Sequence, residues 1–137
     1  MAAFTKFYCW SLDQATAQHN LNTAPLKVML SNTAPALTNT VKSDITQIAA
    51  GNGYVTDGAL IGFTSGAQTA GLYKLIVPDL EFTASGGDIA PFRYPVLFNS
   101  SNNKLIGWWD YGAALIITNG NKFVLDADAI NGILQIS

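Results

Sequence analysis

The sequence predicts a mostly β protein, an antiparallel sandwich or barrel with one or two short helices in its N-terminal third. Three observations carry that prediction. Eight or so short apolar runs follow one another with turn residues between them. No strand–helix alternation of the parallel α/β kind is visible, and neither is an internal repeat or a linker. The chain has 137 residues, of which 49 % are apolar and 11 % aromatic, enough to build one core and too much for a disordered chain. A single unit spanning 1–137 is expected, with residues 1–25 as an N-terminal helix or arm packed on it.

The first element reads as helix. Over residues 4–18, Phe4, Phe7, Tyr8, Leu12 and Ala15 recur at three- and four-residue spacing, as one helical face requires. Asn20 and Asn22 would end it, with Pro25 just beyond. The aromatic bias of residues 4–10 suits a strand equally well. A second, shorter helix is expected from Ser43 as N-cap, with Asp44 near its positive end and Ile45, Ile48 and Ala49 facing the core. Gly51 or Gly53 would stop it.

The remaining elements read as strands. Residues 26–30 form an apolar run between Pro25 and the turn-rich stretch 31–40. Runs 60–69 and 72–77 are separated by Ala70-Gly71, and Tyr73, Leu75 and Val77 alternate with an outward Lys74. Runs 80–84 and 89–98 flank Ser85-Gly86-Gly87, with Tyr94, Val96 and Phe98 on one face. Run 104–111 follows the polar loop 99–103. Runs 113–118 and 121–127 bracket Asn119-Gly120, the strongest short hairpin signal in the chain. Run 133–136 closes it after Asn131-Gly132.

Strict alternation assigns the faces. In 122–128, Phe123, Leu125 and Ala127 share one face and Lys122, Asp126 and Asp128 the other, an ordinary half-wet strand. In 105–111 both faces are apolar: Leu105, Trp109 and Tyr111 on one, Ile106 and Trp108 on the other. The second face of that strand must be covered by the N-terminal helix, a loop or another polypeptide, and 113–117 raises the same question.

Charge points the same way. Only 12 % of residues are charged, whereas soluble surfaces carry roughly a quarter to a third. Neutral polar surface suits permanent interfaces, so the composition favours a subunit of an assembly. A net charge of −2 and a pI near 5.0 lack the general attraction of a basic protein for phosphates, so no direct nucleic-acid partner is expected. No apolar run approaches the roughly eighteen residues of a membrane span, and none is expected to cross one. Residues 1–6 lack a basic head followed by an apolar stretch, so no secretory signal is expected.

Catalytic inventory is thin. The chain has one histidine, His19, one cysteine, Cys9, and one glutamate, Glu81. A Cys–His pair can activate a thiolate, but no nucleophile motif surrounds Cys9, and one cysteine excludes an internal disulfide. The carboxylate pairs Asp79/Glu81 and Asp126/Asp128 fit wet strand faces better than a glycosidase or calcium site. One Cys and one His cannot build a structural zinc site. Gly51-Asn52-Gly53 and Ser85-Gly86-Gly87 have neither a P-loop lysine nor a strand-to-helix setting and read as turns. No catalytic residue, cofactor or metal is expected. The cluster Trp108-Trp109-Asp110-Tyr111 has binding potential, either as core and interface aromatics or as a sugar-stacking platform.

Several segments together resemble a known family. They are His19-Asn20-Leu21, Leu26-Lys27-Val28-Met29-Leu30 with Ser31-Asn32-Thr33-Ala34-Pro35, and Ile48-Ala49-Ala50-Gly51-Asn52-Gly53-Tyr54. Pro91-Phe92-Arg93-Tyr94 and Leu105-Ile106-Gly107-Trp108-Trp109-Asp110-Tyr111-Gly112 complete the set. Over nearly the whole chain the sequence is similar to the head cement (decoration) proteins of tailed phages. The resemblance implies a dimeric jellyroll in the virion, made in the bacterial host cytoplasm. Such a protein would bridge neighbouring major capsid proteins and strengthen the shell against internal DNA pressure. It carries over no catalytic residue. The residues expected at the protein interface are Phe4, Phe7, Ile106 and Trp108. The alternative is a carbohydrate-binding sandwich on a phage tail or host-facing surface, using Trp108, Trp109 and Tyr111; a hydrolase would need Cys9 or His19.

Overall fold

A computed structural model describes residues 2–137. The chain runs β1 (Ala3–Lys6), α1 (Cys9–Ala15), β2 (Leu26–Ser31), a single 3-10 turn (Lys42–Asp44), β3 (Ala59–Leu60), β4 (Ser65–Thr69) and β5 (Leu72–Ile76). It continues through β6 (Leu80–Thr83), β7 (Ile89–Phe92), β8 (Tyr94–Asn99) and β9 (Lys104–Asp110). The last three strands are β10 (Leu115–Ile117), β11 (Lys122–Leu125) and β12 (Leu134–Ile136).

The pairing of these strands is nested. β8 pairs antiparallel with β9, β7 with β10, β6 with β11 and β5 with β12. A double ribbon that pairs from its central hairpin outward and then folds over is the jellyroll arrangement. The remaining strands extend this ribbon at both ends. β1, β2 and β3 add to the central hairpin as a five-stranded sheet in the order β1-β9-β8-β2-β3, and β4 adds to β5. The mostly β sandwich expected from the sequence is the fold observed.

One pairing expectation is corrected. Asn119-Gly120 is a turn, with Gly120 at φ +86°, but its flanking strands are not each other's partners. β10 leaves to pair with β7 and β11 with β6, because the turn crosses between layers of the folded ribbon. The turn at 84–88 crosses beside it, and Gly120 N–H donates to Ala84 O at 2.9 Å. Ala70-Gly71, in contrast, closes a true hairpin: both residues have positive φ, +51° and +80°, as a two-residue turn between twisted strands requires.

Both expected helices shrink. Residues 3–6 are a strand because Ala3, Phe4, Thr5 and Lys6 pair with Asp110, Trp109, Trp108 and Gly107 at the edge of the large sheet. The helix that follows is seven residues long and turns Trp10 and Asp13 inward. Tyr8 and Leu12, counted on one face with Phe4 and Phe7, face solvent, 66 % and 65 % exposed, while Phe7 is buried. Strand pairing upstream resets the phase of the chain, so the residues counted from Phe4 as one helical face do not share a face.

Around Ser43 only the 3-10 turn forms. Asp44, not Ser43, satisfies the local backbone, accepting N–H bonds from Thr40 at 2.9 Å and Val41 at 3.2 Å. Those bonds hold its carboxyl below the usual carboxylate range. Ile45 is then extended, at φ −97° and ψ 130°, and Gln47 bridges to Ser31. Where β3 ends, this loop completes the edge of β2. Leu30 N–H donates to Tyr54 Oη at 3.1 Å, and that hydroxyl donates to Gln47 Oε1 at 2.8 Å. Gln47 in turn holds Asp57, which also accepts from Lys42 Nζ at 2.8 Å. Burial pushes the Tyr54 phenol up to about 12, so it is a protonated donor at neutral pH.

Two cores lie on the two faces of the five-stranded sheet. The larger holds Val28, Leu30, Leu97, Ile106 and Trp109 from that sheet against Leu75, Phe82, Phe92, Leu125 and Leu134 from the ribbon. The smaller holds Met29, Val96, Phe98 and Leu105, covered by Phe7 and Ile45. β8 is therefore buried over its whole length. The second apolar face of β9 is covered by the chain itself, through Phe7 ahead of α1 and Ile45 in the loop.

The faces of β9 also differ from strict alternation. Leu97 pairs with Gly107 and Phe98 with Leu105, so Ile106 is the extra residue of a β-bulge. Beyond the bulge the phase slips by one. Leu105 joins Trp108 on the smaller core, and Ile106 joins Trp109 on the larger, where Tyr111 also packs. Leu105 and Ile106 thus exchange the sides that alternation assigns them.

Candidate functional site

The four residues expected at an interface separate. Ile106 has no exposed surface and Phe7 is 2 % exposed, so both are core residues with nothing to offer a partner. The bulge buries Ile106, and the departure of the chain from β1 drops Phe7 onto the outer face of the sheet, where its N–H donates to Ile106 O at 3.1 Å. Phe4 and Trp108 are partly buried on opposite faces: Phe4 against Trp109, ring centroids 4.8 Å apart, and Trp108 against Phe7, 4.6 Å apart. The structure brings Phe7 and Trp108 together on the smaller core and leaves Phe4 and Ile106 on the larger, so the four form no common surface.

The aromatic platform also divides. Trp109 lies in the larger core at 2 % exposure, leaving no free ring for stacking. Tyr111 packs edge-on against Phe123 at 5.2 Å. Asp110 is taken by a two-pronged ion pair, Arg93 Nε to Oδ1 at 2.7 Å and Nη2 to Oδ2 at 3.1 Å. That guanidinium, aided by the N–H of Gly112, holds the Asp110 carboxyl below its ordinary range.

Cys9 and His19 do not form a nucleophile–base pair. Cys9 Sγ faces the backbone oxygens of Asn39 and Leu105, each at 3.7 Å. Burial and the nearby Asp13 carboxylate push its thiol up, the opposite of what an activated thiolate needs. His19 is buried with Nδ1 on the Asn99 amide at 3.1 Å. The carboxylate pairs have separate duties: Asp79 accepts from Ala127 N–H at 2.8 Å, Glu81 pairs with Lys122 at 3.0 Å, and Asp128 accepts from the N–H groups of Ile130 and Asn131. Among the described residues no group of three or more His, Cys, Asp or Glu side chains is placed to hold a metal, and no helix is long and apolar enough to cross a membrane.

A surface suited to binding lies elsewhere, on the outer side of the smaller core. Tyr8 sits at the start of α1 and Leu12 one turn on, so the two side chains are neighbours. Tyr8 N–H donates to Leu37 O at 3.0 Å, which brings the partly exposed Leu37 alongside. Asp13, the helix's sole charged residue, points inward, so the exposed face of α1 is neutral. The loop over 31–41 has no charged residue at all. A second apolar stretch, Val55, Leu60 and Phe63, follows the β3 edge. Ile116, Val124 and Ile130 are exposed singly. The spacing of Tyr8 and Leu12 marks them as neighbours on a helix, and the absence of charge around them is the sequence signal for an uncharged exposed face.

Comparisons with protein-family models, with curated proteins and with solved structures find no match to this chain.

Proposed function

We propose that this chain is a non-enzymatic structural protein of a phage virion. It cements the capsid by bridging and stabilising major capsid protein subunits. The observation that carries the reading is the neutral apolar surface of Tyr8, Leu12 and Leu37 on the outside of a jellyroll. Large apolar side chains clustered without charge are what the centre of a protein contact uses, and tyrosine is enriched there. The low charge of the whole chain and the cement-family segments in its sequence support the same role. Binding to the assembled lattice and not to free subunits stabilises the lattice by mass action. Repetition over a symmetric shell multiplies modest contacts into a durable coat.

The test is co-sedimentation with expanded phage heads that lack the protein. The chain is expected to pellet with heads to a saturating ratio. Combining Tyr8→Ser with Leu12→Ser should weaken that binding by tenfold or more, about 1.4 kcal/mol. The same change should move monomer stability by no more than about 0.5 kcal/mol, because both side chains are exposed. A chain that stays in the supernatant with expanded heads overturns the proposal.

A further inference from the structure

The N-terminal segment is fastened to the turn between β8 and β9 through a histidine whose hydrogen bonds require it to be neutral. The His19 side chain has no exposed surface and stacks on Trp10, ring centroids 5.7 Å apart and planes 16° from parallel. Asn99 fixes its protonation. Asn99 Oδ1 accepts the Ser101 N–H at 3.0 Å and the Ser101 hydroxyl at 2.7 Å, so the atom on the other side of the amide is the nitrogen. That Nδ2 lies 3.1 Å from His19 Nδ1 and donates to Gln18 O at 3.4 Å. An amide nitrogen only donates, so Nδ1 is a bare acceptor and the ring proton sits on Nε2. Asn102 Nδ2 adds a second tie to Gln18 O at 2.8 Å, and Ser100 binds Pro25 O through its N–H and its hydroxyl.

Of the charges around the ring, the Asp13 carboxylate favours a second proton and Lys104 opposes it, and burial outweighs Asp13. On α1, Asp13 Oδ2 is 3.9 Å from Nε2, beyond hydrogen-bond reach. Its other oxygen is 3.5 Å from Lys104 Nζ on β9, so the carboxylate is already balanced. Asp13 Oδ2 and His19 Nε2 are both buried without a hydrogen-bond partner among the described residues. The other titratable groups nearby are Cys9 on α1 and Tyr73 of β5, which lines the same cavity as His19. Burial pushes both up, so both stay neutral and supply no compensating charge.

We propose that His19 is an acid-sensitive latch: a proton on Nδ1 meets the Asn99 N–H head on and frees residues 7–24 from the β8–β9 turn, while the paired ribbon stays folded. Burial already holds the imidazole below its ordinary value of 6.5. With the folded value depressed, the opened segment binds the proton more readily than the closed one. The latch is therefore at full strength above 6.5 and weakens as pH falls below it, until the folded value is passed. Over that window the opening equilibrium rises by up to about tenfold per pH unit.

Hydrogen exchange of the full chain, corrected for intrinsic rates and compared at pH about 7.5 and about 5, tests this. Protection over residues 7–24 should fall on acidification, while that of β2, β8 and β9 holds. His19→Gln, which offers an acceptor to Asn99 but cannot titrate, should lose this pH dependence. Asn99→Asp places an acceptor opposite Nδ1, favours the charged ring and should reverse its sign. Equal pH dependence in wild type and His19→Gln overturns the proposal, as does wild-type protection that ignores pH. The imidazole nitrogen shifts of the wild-type protein give a check that needs no variant: near neutral pH the proton must be on Nε2, and a proton on Nδ1 overturns the latch.

Discussion

Replacing Gly58 by alanine is expected to destabilise the protein by more than about 3 kcal/mol, a large share of the stability of a domain this size. Gly58 has φ +74°, in the left-handed region that side chains avoid, and it is packed against the middle of β2. A Cβ there would overlap Val28 O and lie 2.7 Å from Val28 C and 2.8 Å from Met29 Cα. None of those atoms can move aside, because Val28 and Met29 are fully buried and paired with Leu97 and Val96 of β8. Gly71→Ala is the control. Its φ is +80° but nothing lies within 4 Å of its would-be Cβ, so it bears the backbone strain alone, about 1 to 2 kcal/mol. Urea unfolding of the two variants separates overlap from strain; equal losses would show that β2 is not held as tightly as this packing requires.

The second large effect is at Trp109. Trp109→Ala should reduce stability by about 3 to 5 kcal/mol, since the indole is enclosed in the larger core and its loss leaves a cavity that β8 and the ribbon cannot close. Trp108→Ala, one residue away, removes a partly buried ring that shields Phe7 and should reduce it by about 1 to 2 kcal/mol. The two tryptophans belong to opposite faces of one strand, so the contrast measures the difference between the cores. Thermal unfolding of both variants reads it. A reversal of the order would put Trp108 at the centre and contradict the face assignment beyond the Ile106 bulge.

That bulge marks the limit of what the sequence discloses. The strands themselves are legible, because each apolar run is short and bounded by Gly, Asn, Pro or Ser, and runs at 26–30, 72–77, 80–84 and 104–111 lie within a residue or so of β2, β5, β6 and β9. The doubly apolar character of 105–111 is real as well. Its phase is not legible: a bulge adds one residue without a compositional mark, and Ile106 is as apolar as its neighbours. Pairing partners are hidden for a related reason. Asn119-Gly120 encodes a tight turn, but whether the flanking strands meet each other or cross to different layers depends on β6 and β7, over twenty-five residues upstream.

The exposed apolar surface on α1 follows the same rule. The spacing of Tyr8 and Leu12 is visible, but which side of α1 faces in is set by β1 pairing with β9 and by Trp10 packing on His19. Phe7 and Ile106, equally apolar, are core for reasons that involve partners far along the chain. The neutral stretch 31–41 and the inward-facing Asp13 leave an uncharged face, whereas by sequence the missing charge traces to 105–111 and 113–117.

The proposal that this chain is a capsid cement protein is tested most directly by the composition of the particles. Mass spectrometry of purified, DNA-filled virions of a phage whose genome encodes the chain should find it in a fixed ratio to the major capsid protein across preparations. Its selective removal should lower the temperature at which the heads release DNA. Particles that lack the chain, or that carry it in a ratio that varies with washing, would contradict the account.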